Sequence, residues 1–136
     1  MLAALNLSFT IKIYEGMSKM AKTISDVLSR FMEINGVKSA ALVGRDGFVV
    51  ESVTTEKVDM EALGAMVATA IGASERLGTE FHLGGMSQYL VEFDHGKVLI
   101  ATAGNDILAL FTDANAVIGG VRYEVKKRIS ELVEAM

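Results

Sequence analysis

The stretch SQYLVEFDHGKVLIATAGNDILALFT, residues 87–112, decides the fold of this chain. It holds three apolar runs of strand length, and the short segments Asp-His-Gly and Gly-Asn-Asp separate them. Glycine, asparagine and aspartate clusters of this kind form tight turns between strands. The pattern therefore predicts an antiparallel meander with strands at about 87–93, 97–103 and 107–112.

A hairpin is predicted upstream of this meander, with strands at about 38–44 and 48–53. Arg45, Asp46 and Gly47 lie between these strands, and Asp-Gly supplies the positive φ angles that a tight turn needs. The hairpin and the meander pair most simply as one five-stranded antiparallel sheet. Its strand at 97–103 is apolar on both faces, which is typical of a sheet covered on both sides.

Apolar residues at helical spacing predict three helices, at about 18–34, 59–77 and 115–136. Ser18 and Asp59 are the expected N-caps of the first two, and Asn35-Gly36 is the expected end of the first. The predicted class is α/β, more closely α+β, with helices on both faces of the sheet. No linker or internal repeat divides residues 18–136, which are therefore expected to form one domain.

Residues 1–17 are expected to be an N-terminal extension that carries an extra β-strand. Between residues 5 and 14, apolar and polar side chains alternate with the period of a half-buried strand. Such a strand could cover the hairpin edge, join a neighbouring subunit or block a partner. The competing interpretation is that Met17 or Met20 is the natural start and the leader is not native.

The composition excludes several classes of protein. Apolar residues make up 51% and charged residues 22%, the formal charge is −4, and cysteine is absent. A net acidic chain without a basic patch is not expected to bind nucleic acid. Lack of cysteine excludes disulfides and cysteine-ligated metals. No stretch is long and apolar enough for membrane insertion, and no secretory signal is evident, so we expect a cytoplasmic protein.

No catalytic, metal-binding or cofactor-binding motif is present. His82 and His95 are the two histidines, each in a predicted loop without a second histidine at ligand spacing. Gly84-Gly85 precedes a strand and not a helix, which does not fit a phosphate-binding loop. The sequence therefore predicts a protein that is not an enzyme and that needs no cofactor.

The helix at 59–77 has too little charge for a helix with one face in solvent. The arc expected to face the sheet comprises Leu63, Val67, Ala70, Ile71, Ser74 and Leu77. The opposite arc comprises Glu61, Ala65, Ala68, Thr69, Gly72 and Arg76. Alanine is a good helix former and needs no partner, but Gly64 and Gly72 each destabilise a helix by roughly 0.5–1 kcal/mol. Small residues on this helix therefore favour close packing against another chain.

The order of these elements resembles that of the Roadblock family of dynein-light-chain-like proteins. The shared marks are the hairpin at 42–50, the small-residue second helix, the meander, and the opening of the last helix at 115–122. The resemblance implies a profilin-like αββαβββα fold. It also implies a homodimer in which the third strands pair edge to edge and the second helices lie side by side. Residues implied at that dimer interface are Gly64, Ala73, Gln88, Tyr89, Leu90, Val91 and Phe93.

Members of this family act as platforms for small Ras-like GTPases, or as light chains of dynein. The resemblance therefore implies a non-catalytic regulator or scaffold that binds such a GTPase. The expected contact residues are those of the outer arc: Glu61, Ala65, Ala68, Thr69, Gly72 and Arg76. The alternatives are a small-ligand sensor of profilin-like fold and a structural subunit of a larger complex.

Overall fold

The computed structural model describes residues 8–12 and 22–136 of the chain. Its elements follow the order αββαβββα. The helices are α1 (Ile24–Phe31), α2 (Met60–Glu80) and α3 (Ile118–Ala135). The strands are β1 (Val37–Val43), β2 (Val49–Thr54), β3 (Gln88–Phe93), β4 (Gly96–Ala103) and β5 (Asp106–Thr112). The predicted order and the predicted strands are confirmed to within one or two residues.

The strands form one antiparallel sheet in the order β2-β1-β5-β4-β3. Successive side chains of each strand point to opposite faces, and each face has its own apolar core. Leu28, Phe31, Val121 and Leu132 bring α1 and α3 against one face. On the other face α2 is the one helix of residues 22–136, and it packs through residues such as Val67. The predicted arrangement of helices on both faces is thus confirmed.

Helix α1 begins later than the sequence predicted. Ser18 is not its N-cap, because the chain is still extended at Thr23, with φ −88° and ψ 164°. The Thr23 hydroxyl accepts from the Asp26 amide at 3.1 Å, and the Asp26 carboxylate accepts from the Thr23 amide at 3.1 Å. This reciprocal capping box satisfies two amides at the helix start and fixes it there.

The strand predicted at 5–14 is wrong for residues 8–12, which are helical. Among the described residues the sheet has five strands, and residues 8–12 join neither of its edge strands, β2 and β3. Without a neighbouring strand, backbone groups find hydrogen-bond partners within a helical turn instead. The rest of the predicted strand, and the alternative starts at Met17 and Met20, lie outside the described residues.

Candidate interaction surface

Helix α2 is held on the sheet by one row of buried apolar side chains. Asp59 is its N-cap, as predicted, and accepts from the Ala62 amide at 3.2 Å. Leu63, Val67 and Ile71 follow at helical spacing and are buried. They contact the core formed by Ala41, Val43, Ile100, Ile107 and Ala109. This anchoring fixes which flanks of α2 are left for other contacts.

Gly64 is not available for a dimer interface, contrary to the prediction. It is buried within the single chain, on the flank of α2 that faces the β1–β2 turn. A Cβ at this position would lie 2.1 Å from the carbonyl oxygen of Gly47. The glycine is therefore required because two backbones of the same chain meet here. Gly72 differs, since a Cβ there would have no neighbour within 4 Å in the part of the chain that the structure describes.

The outer arc predicted for partner binding faces away from the sheet. Glu61, Ala65, Thr69, Gly72 and Arg76 are exposed, and Ala68 is half-buried. The Thr69 hydroxyl donates to the Ala65 carbonyl at 2.8 Å, so it is satisfied within the helix. Arg76 donates to the Glu80 carboxylate at 3.0 Å, and both side chains remain largely exposed. The arc is a nearly flat surface of small side chains with charge at its two ends.

The C-terminal part of α2 extends past the sheet, and this extension was not predicted from the sequence. Leu77 was expected to face the sheet but is 57% exposed. A helix of 21 residues is about 31 Å long. Strands of six to eight residues span only about 20–27 Å. The last turn therefore has no strand beneath it, and Phe81 and Leu83 beyond it are exposed as well.

This helix ends in a Schellman motif with histidine in place of glycine. The Leu83 amide donates to the Gly78 carbonyl at 2.8 Å, and the His82 amide donates to the Thr79 carbonyl at 3.3 Å. His82 has a φ of 56°, in the left-handed region that favours glycine. Its backbone thus forms the turn that ends the helix, and His82 belongs to no group of three or more possible metal ligands in the described residues.

An open apolar groove runs between α2 and the edge strand β3. Its volume is about 540 Å³. Met66 projects into the groove from α2. Its thioether side chain is apolar, and yet it is 71% exposed. The remaining lining residues are Val58, Asp59, Leu63, Val67, Ala70, Tyr89, Val91, Phe93, Val98, Ile100 and Phe111. The groove was not predicted from the sequence; the alternation of Tyr89, Val91 and Phe93 along β3 is the signal that could have indicated it.

Strand β3 has its other side chains on the opposite face, beside α3. Leu90 contacts the core beneath α1 and α3. The Gln88 side-chain oxygen accepts a hydrogen bond from Nε of Arg122, in the first turns of α3, at 3.0 Å. By strand alternation Glu92 is on this face too. The predicted dimer residues other than Gly64 and Ala73 therefore lie along one strand, divided between the two faces of the sheet.

The two edges of the sheet differ in regularity. Six consecutive residues of β3 pair with β4 without interruption. The pairing of β2 with β1 is broken by a register shift between Leu42 and Val43. Irregularities of this kind twist an edge and hinder further strand addition. Edge β3 is thus the one suited to pairing with another strand.

Three of the arginines, Arg45, Arg76 and Arg122, lie in separate regions of the structure. Arg45 forms an ion pair with Glu75 and donates through Nε to the Asn105 carbonyl at 2.9 Å. Arg122 is bonded to Gln88, and Arg76 is on the outer arc.

In residues 8–12 and 22–136, no cluster of acidic or histidine side chains could hold a metal ion. No helix within those ranges has the length and apolarity to cross a membrane.

Proteins of similar sequence come from a methanogenic archaeon. The uncharacterized protein MJ0714 of Methanocaldococcus jannaschii is 40% identical over 113 residues, which are 83% of this chain and 95% of that protein. A second protein of that organism, MJ1340, is 39% identical over 113 residues, 83% of this chain and 98% of that protein.

Among solved structures, the fold is similar to that of MglB from Myxococcus xanthus, with a TM-score of 0.76, 21% identity and coverage of 82% and 92% of the two chains. Acanthamoeba castellanii profilin IB is similar as well, with a TM-score of 0.52, 18% identity and coverage of 72% and 86%. The fold is therefore profilin-like. The Roadblock/LC7 domain matches residues 23–112, most of the chain. The chain belongs to the Roadblock/LC7 domain family.

Proposed function

We propose that this chain is a non-catalytic regulator or scaffold that acts as a homodimer and binds a small Ras-like GTPase through its paired α2 helices. The observation that carries the proposal is the apolar groove between α2 and β3, which is open along the outer edge of β3, where no strand of the described residues pairs. A second copy of the chain would cover both the groove and the strand.

Dimerisation is supported by the chemistry of the two elements that border the groove. Strand β3 offers a row of backbone groups, and Met66, Tyr89, Val91 and Phe93 offer adjoining apolar surface. Burial of apolar area at about 25 cal/mol per Å² would stabilise a pair formed there. Ala73 is exposed on the same flank of α2 and is small enough to let two helices approach closely. A solved MglB structure described as a tetrameric arrangement has this fold and assembles from several copies.

GTPase binding is assigned to the outer arc, which remains exposed after the α2 flank toward β3 is covered. Its residues Ala65, Thr69 and Gly72 have no large side chain, so a partner can approach the helix backbone. Glu61 and Arg76 supply charges at the two ends. Because Ala68 is half-buried, it contributes less to this surface than the sequence suggested.

Any effect on GTP hydrolysis would arise by positioning groups of the GTPase or by one arginine supplied in trans. Of Arg45, Arg76 and Arg122, Arg76 is the best placed, since its partner among the described residues is an exposed carboxylate on the next helical turn. Arg45 and Arg122 are each bonded to a group of another element.

The experiment is capture of a GTPase from native lysate, with the bound protein identified by its nucleotide content. Wild type, Ala65→Arg and Ser130→Arg are compared; the last places the same charge on the exposed face of α3, on the other side of the sheet. We expect wild type and Ser130→Arg to retain a nucleotide-bound GTPase and Ala65→Arg to lose it. Equal retention by all three, or no GTPase on wild type, contradicts the proposal.

A small-ligand sensor is the second candidate, because the groove has the volume of many ligand pockets. The two functions differ in what fills the groove. A fluorescent apolar probe should bind the dilute monomer and be released as the dimer forms. A probe that stays bound to the dimer would favour the sensor.

A further inference from the structure

The free edge of β3 presents the backbone of alternate residues. The Thr102 amide donates to the Ser87 carbonyl at 3.2 Å, so Ser87 directs its backbone toward β4. Successive residues of a strand direct their N–H and C=O groups to opposite sides. Tyr89, Val91 and Phe93 therefore bond to β4, and Phe93 closes the turn to Gly96. Gln88, Leu90 and Glu92 direct their backbone groups outward.

Two copies of β3 related by a twofold axis can pair antiparallel in few registers. Hydrogen bonds form only where outward-directed residues stand opposite each other. When Leu90 stands opposite its own copy, Gln88 stands opposite Glu92, and all three outward residues of each strand are paired. Centring the axis on Tyr89 or on Val91 leaves one of the three outside the strand. Centring it on Val91 also places Glu92 opposite Leu90, where a carboxylate would meet an apolar side chain.

The side chains favour the same register. With Leu90 at the axis, Tyr89 stands opposite Val91 on the α2 face, and such aromatic and β-branched pairs stabilise a sheet. On the α3 face, Glu92 of one copy lies beside Gln88 of the other. Arg122 is bonded to that Gln88 through Nε, and its other guanidinium nitrogens have no partner in the described part of the chain. Within its own subunit, Glu92 stands across from Lys97, whose ammonium donates to the Ala116 carbonyl at 2.9 Å.

We propose that the chain recognises a second copy of itself through a β3–β3 register centred on Leu90, in which Glu92 of each protomer forms an ion pair with Arg122 of the other. This inference rests on the proposed homodimer, and it specifies the contacts that select the register of the two β3 strands and the partner chain. Opposite charges placed this way make self-pairing complementary, while a strand without an acid at this position would offer no carboxylate to the remaining guanidinium nitrogens of Arg122.

The test is a charge exchange between two variants. A homodimer contains the contact between residues 92 and 122 twice. In a homodimer of Glu92→Arg both contacts bring two arginines together, and in one of Arg122→Glu both bring two glutamates together. Each repulsive contact should weaken association by about tenfold, so the dimer Kd of either variant should rise about 100-fold. Mixed together, the two variants form a heterodimer in which both contacts are attractive again. We expect sedimentation velocity to show weakened association for each variant alone and restored association for the mixture, with unchanged circular dichroism throughout.

The outcomes distinguish failure of the Glu92–Arg122 ion pair from failure of the homodimer. If wild type dimerises and either variant alone dimerises as tightly, the ion pair is overturned while the dimer stands. If the mixture stays as weak as its components, the ion pair is overturned as well. If wild type is monomeric at the highest concentration reached, the proposed homodimer itself fails.

A second measurement tests the register without changing charge. Because the chain has no cysteine, Leu90→Cys introduces a single thiol. In the proposed register its two copies stand opposite at a Cα separation of about 5.5 Å, within disulfide range. For Tyr89→Cys and Val91→Cys the two thiols are diagonal neighbours at about 7–8 Å. We expect oxidation to cross-link Leu90→Cys fastest; faster cross-linking of either other variant overturns the register.

Discussion

The backbone of Gly64 on α2 contacts the carbonyl of Gly47 in the β1–β2 turn, so closely that a Cβ on Gly64 would lie 2.1 Å from that oxygen. The contact joins the helix to the hairpin and fixes the flank of α2 that faces away from β3. The opposite flank, with Met66 and Ala73, is thereby directed to the groove and to a second chain.

Gly64→Ala should destabilise the fold by about 3 kcal/mol, because neither backbone can move away without breaking the turn. The matched change Gly72→Ala meets no atom within 4 Å and should stabilise the helix by up to about 1 kcal/mol. Urea unfolding of both variants measures the difference. Equal stabilities would show that the close approach at Gly64 is absent in solution.

His82→Gly should raise the free energy of unfolding by about 1 kcal/mol, because a left-handed φ of 56° is unfavourable for a side chain with a Cβ. His95→Gly is the control, since His95 is in an exposed turn where its φ is not positive. Thermal melts at one pH compare the two. A loss of stability on replacing His82 would mean that its side chain contributes more than its backbone costs.

Thr23→Ala should reduce stability by about 1 kcal/mol through loss of the capping box at α1. The same motif gives a pH dependence, since hydrogen bonds from the Thr23 amide and hydroxyl lower the pKa of the Asp26 carboxyl below 3.8. A lowered pKa in the folded state means that the stabilisation is present above the unfolded pKa and is lost as pH falls through the folded value.

Acid unfolding between about pH 5 and pH 2 should therefore be less steep in Asp26→Asn than in wild type, as should that of Thr23→Ala. The measurement is the free energy of unfolding at a series of pH values. Parallel curves for wild type and both variants would contradict the role of the Asp26 charge.

Arg76→Ala should leave the dimer intact and weaken GTPase binding. Both side chains of the Arg76–Glu80 ion pair are exposed, so loss of the pair should lower the free energy of unfolding by only about 0.3–0.5 kcal/mol. Glu80→Ala breaks the same pair and keeps the arginine, which makes it the control. Binding of the captured GTPase, measured by calorimetry, should fall for Arg76→Ala alone; an unchanged affinity removes Arg76 from the surface.

Local patterns in the sequence were sufficient for the fold. Strand alternation, the Asp46-Gly47 turn and the Asp59 cap depend on neighbouring residues, and all were confirmed. The extra strand was wrong for residues 8–12 because alternation shows what a strand could bury but not whether the segment pairs with an edge of the sheet. Similarly, Ser18 is a good capping residue, but Thr23 has Asp26 three residues later and completes a reciprocal pair.

The surface was harder to predict because it depends on distances between elements. Gly64 and Gly72 are the same residue type on one helix, yet the first is required by Gly47 of the same chain, while a Cβ on the second would meet no atom of the described residues within 4 Å. Helical phase placed Leu77 toward the sheet, but the sheet ends before the helix does. The exposure of Met66 in the groove likewise follows from where β3 lies.

The most direct test of the proposed homodimer compares the two edges of the sheet. Phe93 ends β3 and is 61% exposed, while Phe48 precedes β2 and is 74% exposed. Molar mass in solution, measured by sedimentation equilibrium, should equal two chains for wild type and for Phe48→Asp and one chain for Phe93→Asp. A single-chain mass for wild type, or the same mass for both variants, would contradict pairing through β3.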